Sequence, residues 1–242
     1  MLPVPDQGRT YTASRLVRLG DVSPAGRLRL DAVARYLQDI ATDDAVDAGL
    51  EGALAWVVRR TVIRVEQFAR FREPLTLTTF ASGYGRSWAE RRTQLRGEQG
   101  AVLDAAALWV SVDPSSGRPA PLNEGFVRVY GEAVNGRRIR ARLSHPDPPP
   151  GLDRVPWPTR FCDFDALDHV NNAVYWSVVE EHLAHRRDLR APFVVEVEHR
   201  NAVERDHRVD VVAQADTDGG LWVWVVDDDV VHASARVRPG LS

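Results

Sequence analysis

Hydrophobic positions along the chain switch between two periods. Leu30, Val33, Leu37, Ile40 and Ala41 recur at the spacing of one helix face, which predicts a first helix from about Leu28 to Ala48. Gly49 is suited to end it in a left-handed conformation. A second helix is predicted from about Ala173 to Arg187. Its first half, Ala173-Val174-Tyr175-Trp176-Ser177-Val178-Val179, is apolar nearly all round, so it should be enclosed by a sheet. Elsewhere the pattern alternates. Val195, Val197 and His199 fall on one face of a strand, with Glu196 and Glu198 on the other. Trp88–Arg96 with Val102–Val112, and Leu221–Asp227 with Val230–Val237, read as two hairpins.

These elements occur twice in the same order. Leu19–Arg27 lies over Phe161–His169, so that Asp21 falls on Asp163, and the match runs without a gap into both helices. Val62–Glu66 then matches Val194–Glu198, and Leu75–Thr79 falls over His207–Val211. The stretch from Pro114 to Pro158 holds nine of the 15 prolines and reads as a connector, with room for a short helix around Pro121–Tyr130. The expectation is an α+β chain in which one antiparallel sheet wraps one long helix, made twice: residues 1–113, a connector over 114–156, and residues 157–242. Long hairpins without alternating strand–helix–strand units argue against a parallel sheet.

Composition narrows the class. Hydrophobic residues make up 44% of 242, enough for a sizeable core, and the 27% charged residues are well mixed, which argues against disorder. A net charge of -3 disfavours a dedicated nucleic-acid binder. All 31 basic side chains are Arg, a feature of genome composition rather than chemistry. Cys162 is the single cysteine, so no internal disulfide forms and a reducing compartment is implied. Met1–Asp6 lacks the basic and apolar regions of a signal peptide, and no run approaches the roughly 18 apolar residues of a membrane span. The expectation is a cytoplasmic protein with no nucleic-acid or membrane partner. It would be a monomer or homodimer, since the chain already carries both copies of the repeat.

The chemistry concentrates in Arg160–Asn172. Asp165 and His169 stand four apart across a turn and can face one cavity. Asn171 or Asn172 suits a helix cap, and the first-turn amides Ala173–Tyr175 would carry partial positive charge. Such a site could hold the oxyanion of acyl transfer, with Asp165 as general base or nucleophile and His169 on the carbonyl or the acid. A thioester needs less acid catalysis than an amide, because its leaving thiol has a pKa of roughly 8.5. The bland alternative is that Asp165 and Asp168 only form the turn, with His169 packed beneath the helix. The repeat bears on this choice: the first copy has Ser23, Gly26 and Arg27 at the positions of Asp165, Asp168 and His169, so the turn exists there without the acid–imidazole pair. Cys162 reads as a strand residue rather than a nucleophile. Asp163, Asp165 and His169 lack a second histidine, so no metal is expected, and no phosphate-binding or dinucleotide motif implies a cofactor. His182 and His185 read as solvated. The basic run Gly136–Arg142 is an ordinary connector, or a dock for an acidic carrier or a CoA phosphate.

At these residues the chain resembles the acyl-acyl-carrier-protein thioesterases. Asp163-Phe164-Asp165-Ala166-Leu167-Asp168-His169-Val170-Asn171-Asn172-Ala173-Val174-Tyr175 is similar to that family's D-x-D-x-N-x-H-V-N-N-x-x-Y. Leu37–Ala41, Ala48–Leu50, Trp56–Arg60 and Trp109-Val110 with Pro119 and Pro121 resemble its first half. Leu167 stands where the family has asparagine, and its later glutamate falls on Ala202 and Val203, with Glu204 two residues on along the same strand face. The resemblance implies a double hotdog fold and hydrolysis of a fatty acyl thioester on acyl carrier protein or CoA. Asp165 and His169 would be catalytic, and Asn171, Asn172, Leu167, Ala202 and Glu204 would bind substrate. The acyl tail would lie in an apolar channel between the first helix and the adjoining sheet. A non-catalytic acyl-thioester binder is the alternative; a dehydratase lacks its H-F-P segment here.

Overall fold

The computed structural model describes residues 2–50 and 55–240. The first half carries β1 (Thr10–Leu16), α1 (Leu30–Asp47), β2 (Ala55–Gln67), β3 (Pro74–Tyr84), β4 (Trp88–Gly97) and β5 (Val102–Val112). A connecting segment holds α2 (Glu124–Val134). The second half carries β6 (Arg154–Pro156), α3 (Val174–Ala184), β7 (Phe193–His199), β8 (Asp210–Ala215), β9 (Leu221–Asp227) and β10 (Val230–Pro239). All these strands join one antiparallel sheet in the order β1-β3-β4-β5-β2-β7-β10-β9-β8-β6. Read inward from either end, the order is the same.

The halves meet at β2 and β7, where Ile63 lies directly opposite Val195. These two residues are counterparts in the sequence repeat. A residue that faces its own counterpart marks an approximate two-fold axis, and this one runs through the centre of the sheet. Both helices bury their apolar faces in one core. Leu30, Val33, Leu37 and Ile40 of α1 join Ile63, Val65, Leu77, Leu95 and Leu103, while Trp176, Val179 and Leu183 of α3 join Val195, Val197, Val223 and Val225. Each fully buried aliphatic side chain contributes about 1.5–3 kcal/mol. The fold is a double hotdog.

Several elements differ from expectation in informative ways. Helix α1 ends as predicted, with Gly49 at φ +67°. Helix α3 stops at Ala184, because Leu183 is its last buried residue and His185–Asp188 are polar. Strand β8 begins at Asp210 rather than His207, because Asn201–Val209 form a loop; Glu204 is exposed in that loop, so no strand face relates it to Ala202. Cys162 is not a strand residue. It is exposed in a short 3-10 turn, Phe161–Asp163.

Part of the connector straps the outer face of the sheet. Glu198 points outward, as the alternation predicts, yet is fully buried: the amides of Ser144 and His145 donate to its carboxylate at 2.7 and 3.0 Å. Trp224 Nε1 donates to the Pro146 carbonyl at 2.9 Å, and Trp88 Nε1 to that of Ile139 at 2.9 Å. Helix α2 lies on the other face, with Phe126, Tyr130 and Val134 against Ala81 and Ala89. Asn123 caps it, accepting from the Phe126 amide at 2.8 Å.

Asp44 of α1 clamps these parts together. It is 1% exposed and accepts from Arg9 (2.7 Å), Arg91 (2.6 Å) and the Tyr130 hydroxyl (2.7 Å), which come from the N-terminal segment, β4 and α2. Removing one member of a buried ion network leaves the others desolvated and unpaired. Asp44→Ala is therefore expected to lower stability by about 3–5 kcal/mol in urea unfolding with an unchanged slope; a loss below about 1 kcal/mol contradicts the clamp.

Candidate active site

The two turns share one backbone skeleton. In the second half, Asp165 N–H donates to His169 O at 2.9 Å and Asp168 N–H to Asp165 O at 3.0 Å. In the first half, Ser23 N–H donates to Arg27 O and Gly26 N–H to Ser23 O, both at 2.8 Å. Asp168 sits at φ +61° and its counterpart Gly26 at φ +74°, so the turn demands a left-handed residue that Gly adopts freely and Asp tolerates. The carboxylates of Asp163 and Asp21 each accept from the backbone amide three residues earlier, Arg160 at 2.8 Å and Arg18 at 3.0 Å. That acid is kept in both halves because it builds the turn. Asp165 is not kept, and the turn forms without it.

Asp165 is held by its neighbours. Its Oδ1 accepts from the Leu167 amide at 2.9 Å, and its Oδ2 lies 3.4 Å from Asn171 Nδ2. Asn171 Oδ1 in turn accepts from the Ala173 amide at 2.9 Å, so one side chain both holds the turn that leads into α3 and orients the acid. The sequence pointed to the amides Ala173–Tyr175 as the open donors. In the structure Ala173 is taken by Asn171, and Val174 N–H donates to Asn171 O at 2.9 Å. Among the described residues, the N–H groups without a partner at this helix start are those of Asn172, at its edge, and Tyr175.

Asp165, Leu167, Asn171 and Asn172 line a cavity of about 480 Å³. Its other walls are Gln38, Ala41 and Ala45 of α1, Ala81 and Ala89 of the first-half sheet, Trp56 and Trp109, and Phe126 and Tyr130 of α2. The void exists because alanines stand on both the helix and the sheet where larger side chains would meet. His169 is half-buried beside this cavity's turn but is not part of its lining, and Ala202 and Glu204 lie in the exposed loop outside it. The loop still braces the turn, since Val170 N–H donates to Val203 O at 2.9 Å. Leu167 is 71% exposed and contributes its backbone amide to Asp165 rather than a polar side chain.

The α2 wall was not foreseen, because it falls in the proline-rich connector. Asn123 followed by Phe126 and Tyr130 was the available signal: a cap, then aromatics one helical turn apart.

The first-half turn is sealed. Glu180 of α3 reaches across the two-fold axis, accepting from Arg27 at 2.9 and 2.7 Å and from the Leu30 amide at 2.6 Å. An internal carboxylate thus occupies the helix start there.

Among the described residues, two groups outside the cavity carry metal-type ligands. His207, Asp227 and His232 approach one another, as do His145, Glu196 and Glu198. In the first, His232 Nδ1 faces Ala202 O at 2.9 Å, while His207 Nδ1 accepts from the Glu204 amide at 3.0 Å. A neutral His207 then carries its proton on Nε2, which makes that atom a donor rather than a ligand. In the second, both Glu198 oxygens are occupied by the strap amides.

A helix start, an oriented acid and a half-open cavity between two hotdogs are the parts a thiolester hydrolase needs. The chain matches the models of the acyl-ACP thioesterase N-terminal domain over residues 8–130 and C-terminal domain over residues 153–235. It belongs to the acyl-ACP thioesterase family. An uncharacterised Mycobacterium tuberculosis protein, Rv2001, is 29% identical over 235 residues, covering 97% of this chain and 94% of its own. A crystal structure described as an oleoyl thioesterase from Lactobacillus plantarum superposes with a TM-score of 0.80 at 20% identity, over 97% of this chain and 96% of that one. The 12:0-ACP thioesterase from Umbellularia californica gives 0.78 at 20% identity, over 96% and 97%. No helix among the described residues is long and apolar enough to cross a membrane.

Burial beside the site has a consequence for pH. His199 ends β7 under Tyr175, with ring centroids 5.1 Å apart, and burial, reinforced by the nearby Arg59 charge, pushes it down to about 3. The unfolded chain, with a histidine pKa of about 6.5, takes up that proton first as pH falls, so this contribution to stability is complete above about pH 6.5 and is lost progressively toward 3. Moving from about pH 7.5 to about pH 5.5 should lower the urea midpoint of wild type more than that of His199→Gln. Equal drops would show that His199 does not set this sensitivity.

Proposed function

We propose that the protein hydrolyses fatty acyl thioesters, with acyl carrier protein rather than CoA as the thiol carrier. Water adds across the C–S bond to give the free acid and the carrier thiol. Asp165 removes the proton from attacking water, or attacks the carbonyl itself and is released by water in a second step. The Asn172 amide donates to the carbonyl oxygen as charge builds on it. Asn171 holds Asp165 in register, His169 flanks the turn, and the acyl tail lies among Ala41, Ala45, Ala81, Ala89 and Phe126. One observation carries this reading: a side-chain-oriented carboxylate opens into a cavity whose walls include four alanines and four aromatic side chains. The family match supports the carrier as the thiol partner.

The Gly136–Arg142 run gives less support to a phosphate dock than its composition suggests. Arg137 pairs with Glu90 at 2.8 Å, and Arg138 lies 4.6 Å over the Tyr84 ring.

Asp165→Asn should keep the wild-type melting temperature and reduce kcat on acyl-carrier thioesters by about 10²–10⁴-fold. Equal turnover by the two proteins removes Asp165 from the mechanism, and a stable unhydrolysed acyl-carrier complex with wild type would make the protein a binder. Ala45→Leu fills the cavity from α1, so it should shift preference toward shorter acyl chains in a chain-length panel. An unchanged length profile would place the tail elsewhere.

A further inference from the structure

The two-fold axis allows each half to be read against the other. The ungapped match of the turns and helices makes Leu30 the counterpart of Asn172, Arg27 that of His169, and Glu180 that of Gln38. In the sealed half, Glu180 projects from one helix onto the first free amide of the other, 2.6 Å from Leu30 N. By the same symmetry Gln38 projects from α1 toward the Asn172 amide. It lines the cavity together with Asp165, Asn171 and Asn172. Its side chain has no hydrogen-bond partner among the described residues, and neither has the Asn172 N–H. The active half therefore presents two unsatisfied donors where the sealed half has a carboxylate bound to its amide.

We infer that Gln38 is a substrate-contacting residue whose side-chain amide donates to the thioester carbonyl, opposite the Asn172 N–H. This rests on the thioesterase reading above. The exchange of Glu for Gln at this position has a direct electrostatic consequence. A carboxylate there would fill the amide site and repel the negative charge that develops on the carbonyl oxygen, whereas a neutral amide leaves the site open and adds a second donor. The sealed half shows the first condition, with Arg27 neutralising the acid that does the sealing. His169 stands at the position of Arg27, and the neutral Gln38 stands at that of the acid which Arg27 neutralises.

The test compares wild type, Gln38→Leu, Gln38→Glu and the mirror control Glu180→Gln on an acyl-carrier thioester that wild type hydrolyses, with melting temperatures measured alongside. Gln38 is on the cavity wall rather than in the core, so folding should be retained. The inference predicts a fall in kcat of about 10²-fold or more for both Gln38 variants, with KM within about three-fold of wild type. Glu180→Gln should keep kcat while lowering the melting temperature. Wild-type kcat in Gln38→Leu or Gln38→Glu overturns the inference and leaves the thioesterase reading standing. A fall in KM-controlled binding alone, with kcat preserved, assigns Gln38 to ground-state binding and also overturns it. A wild type inactive on every acyl-carrier and acyl-CoA thioester overturns both.

Discussion

The antiparallel join of β2 to β7 is the constraint on which the rest of the molecule depends. Once Ile63 faces Val195, the two halves are locked in two-fold register in one sheet, and α1 and α3 must lie side by side on the same face. Each helix then reaches the turn that precedes the other. That crossing is what gives the cavity a wall from one half and an acid from the other. Neither half could build the site alone, because Asp165 and Gln38 come from opposite sides of the axis.

Symmetry at the level of the backbone permits asymmetry at the level of charge. The same turn, with the same hydrogen bonds and the same left-handed residue, appears at Ser23–Arg27 and at Asp165–His169. In one copy a buried carboxylate and a guanidinium close the helix start. In the other, Asn171 bonds the Ala173 amide and orients Asp165, and the Asn172 amide stays free. A buried ion pair is weak evidence for net stability, since desolvation offsets most of its attraction. Its clearest consequence here is that the first-half turn has no room for a second ligand.

Much of the architecture was legible because its causes are local. Helical spacing gave α1 and its Gly49 stop, alternation gave the hairpins, and the matched stretches Val62–Glu66 and Val194–Glu198 named the very residues that meet on the axis. The turn was legible too, although the N-cap of α3 is Ala173 and Asn171 holds the turn before it instead. What failed did so where tertiary packing overrides local pattern. Glu198 alternates outward yet is buried by a strap from a segment read as linker, and that segment also supplies Phe126 and Tyr130. The strand reading of Ala202–Glu204 rests on the family's later-strand glutamate falling there, whereas Glu204 and His207 close a turn. Gln38 carries no local signal, since a polar residue on a helix acquires meaning only beside its two-fold counterpart.

The central claim is that one of the two related turns accepts substrate and the other is closed. Calorimetric titration of the full chain with a non-hydrolysable thioether analogue of an acyl-carrier substrate tests it directly. One equivalent of a long-chain analogue bound per chain, with that binding weakened when the cavity is filled at Ala45 and retained in Glu180→Gln, is the predicted result. Two equivalents, or binding undiminished by the filled cavity, would contradict it.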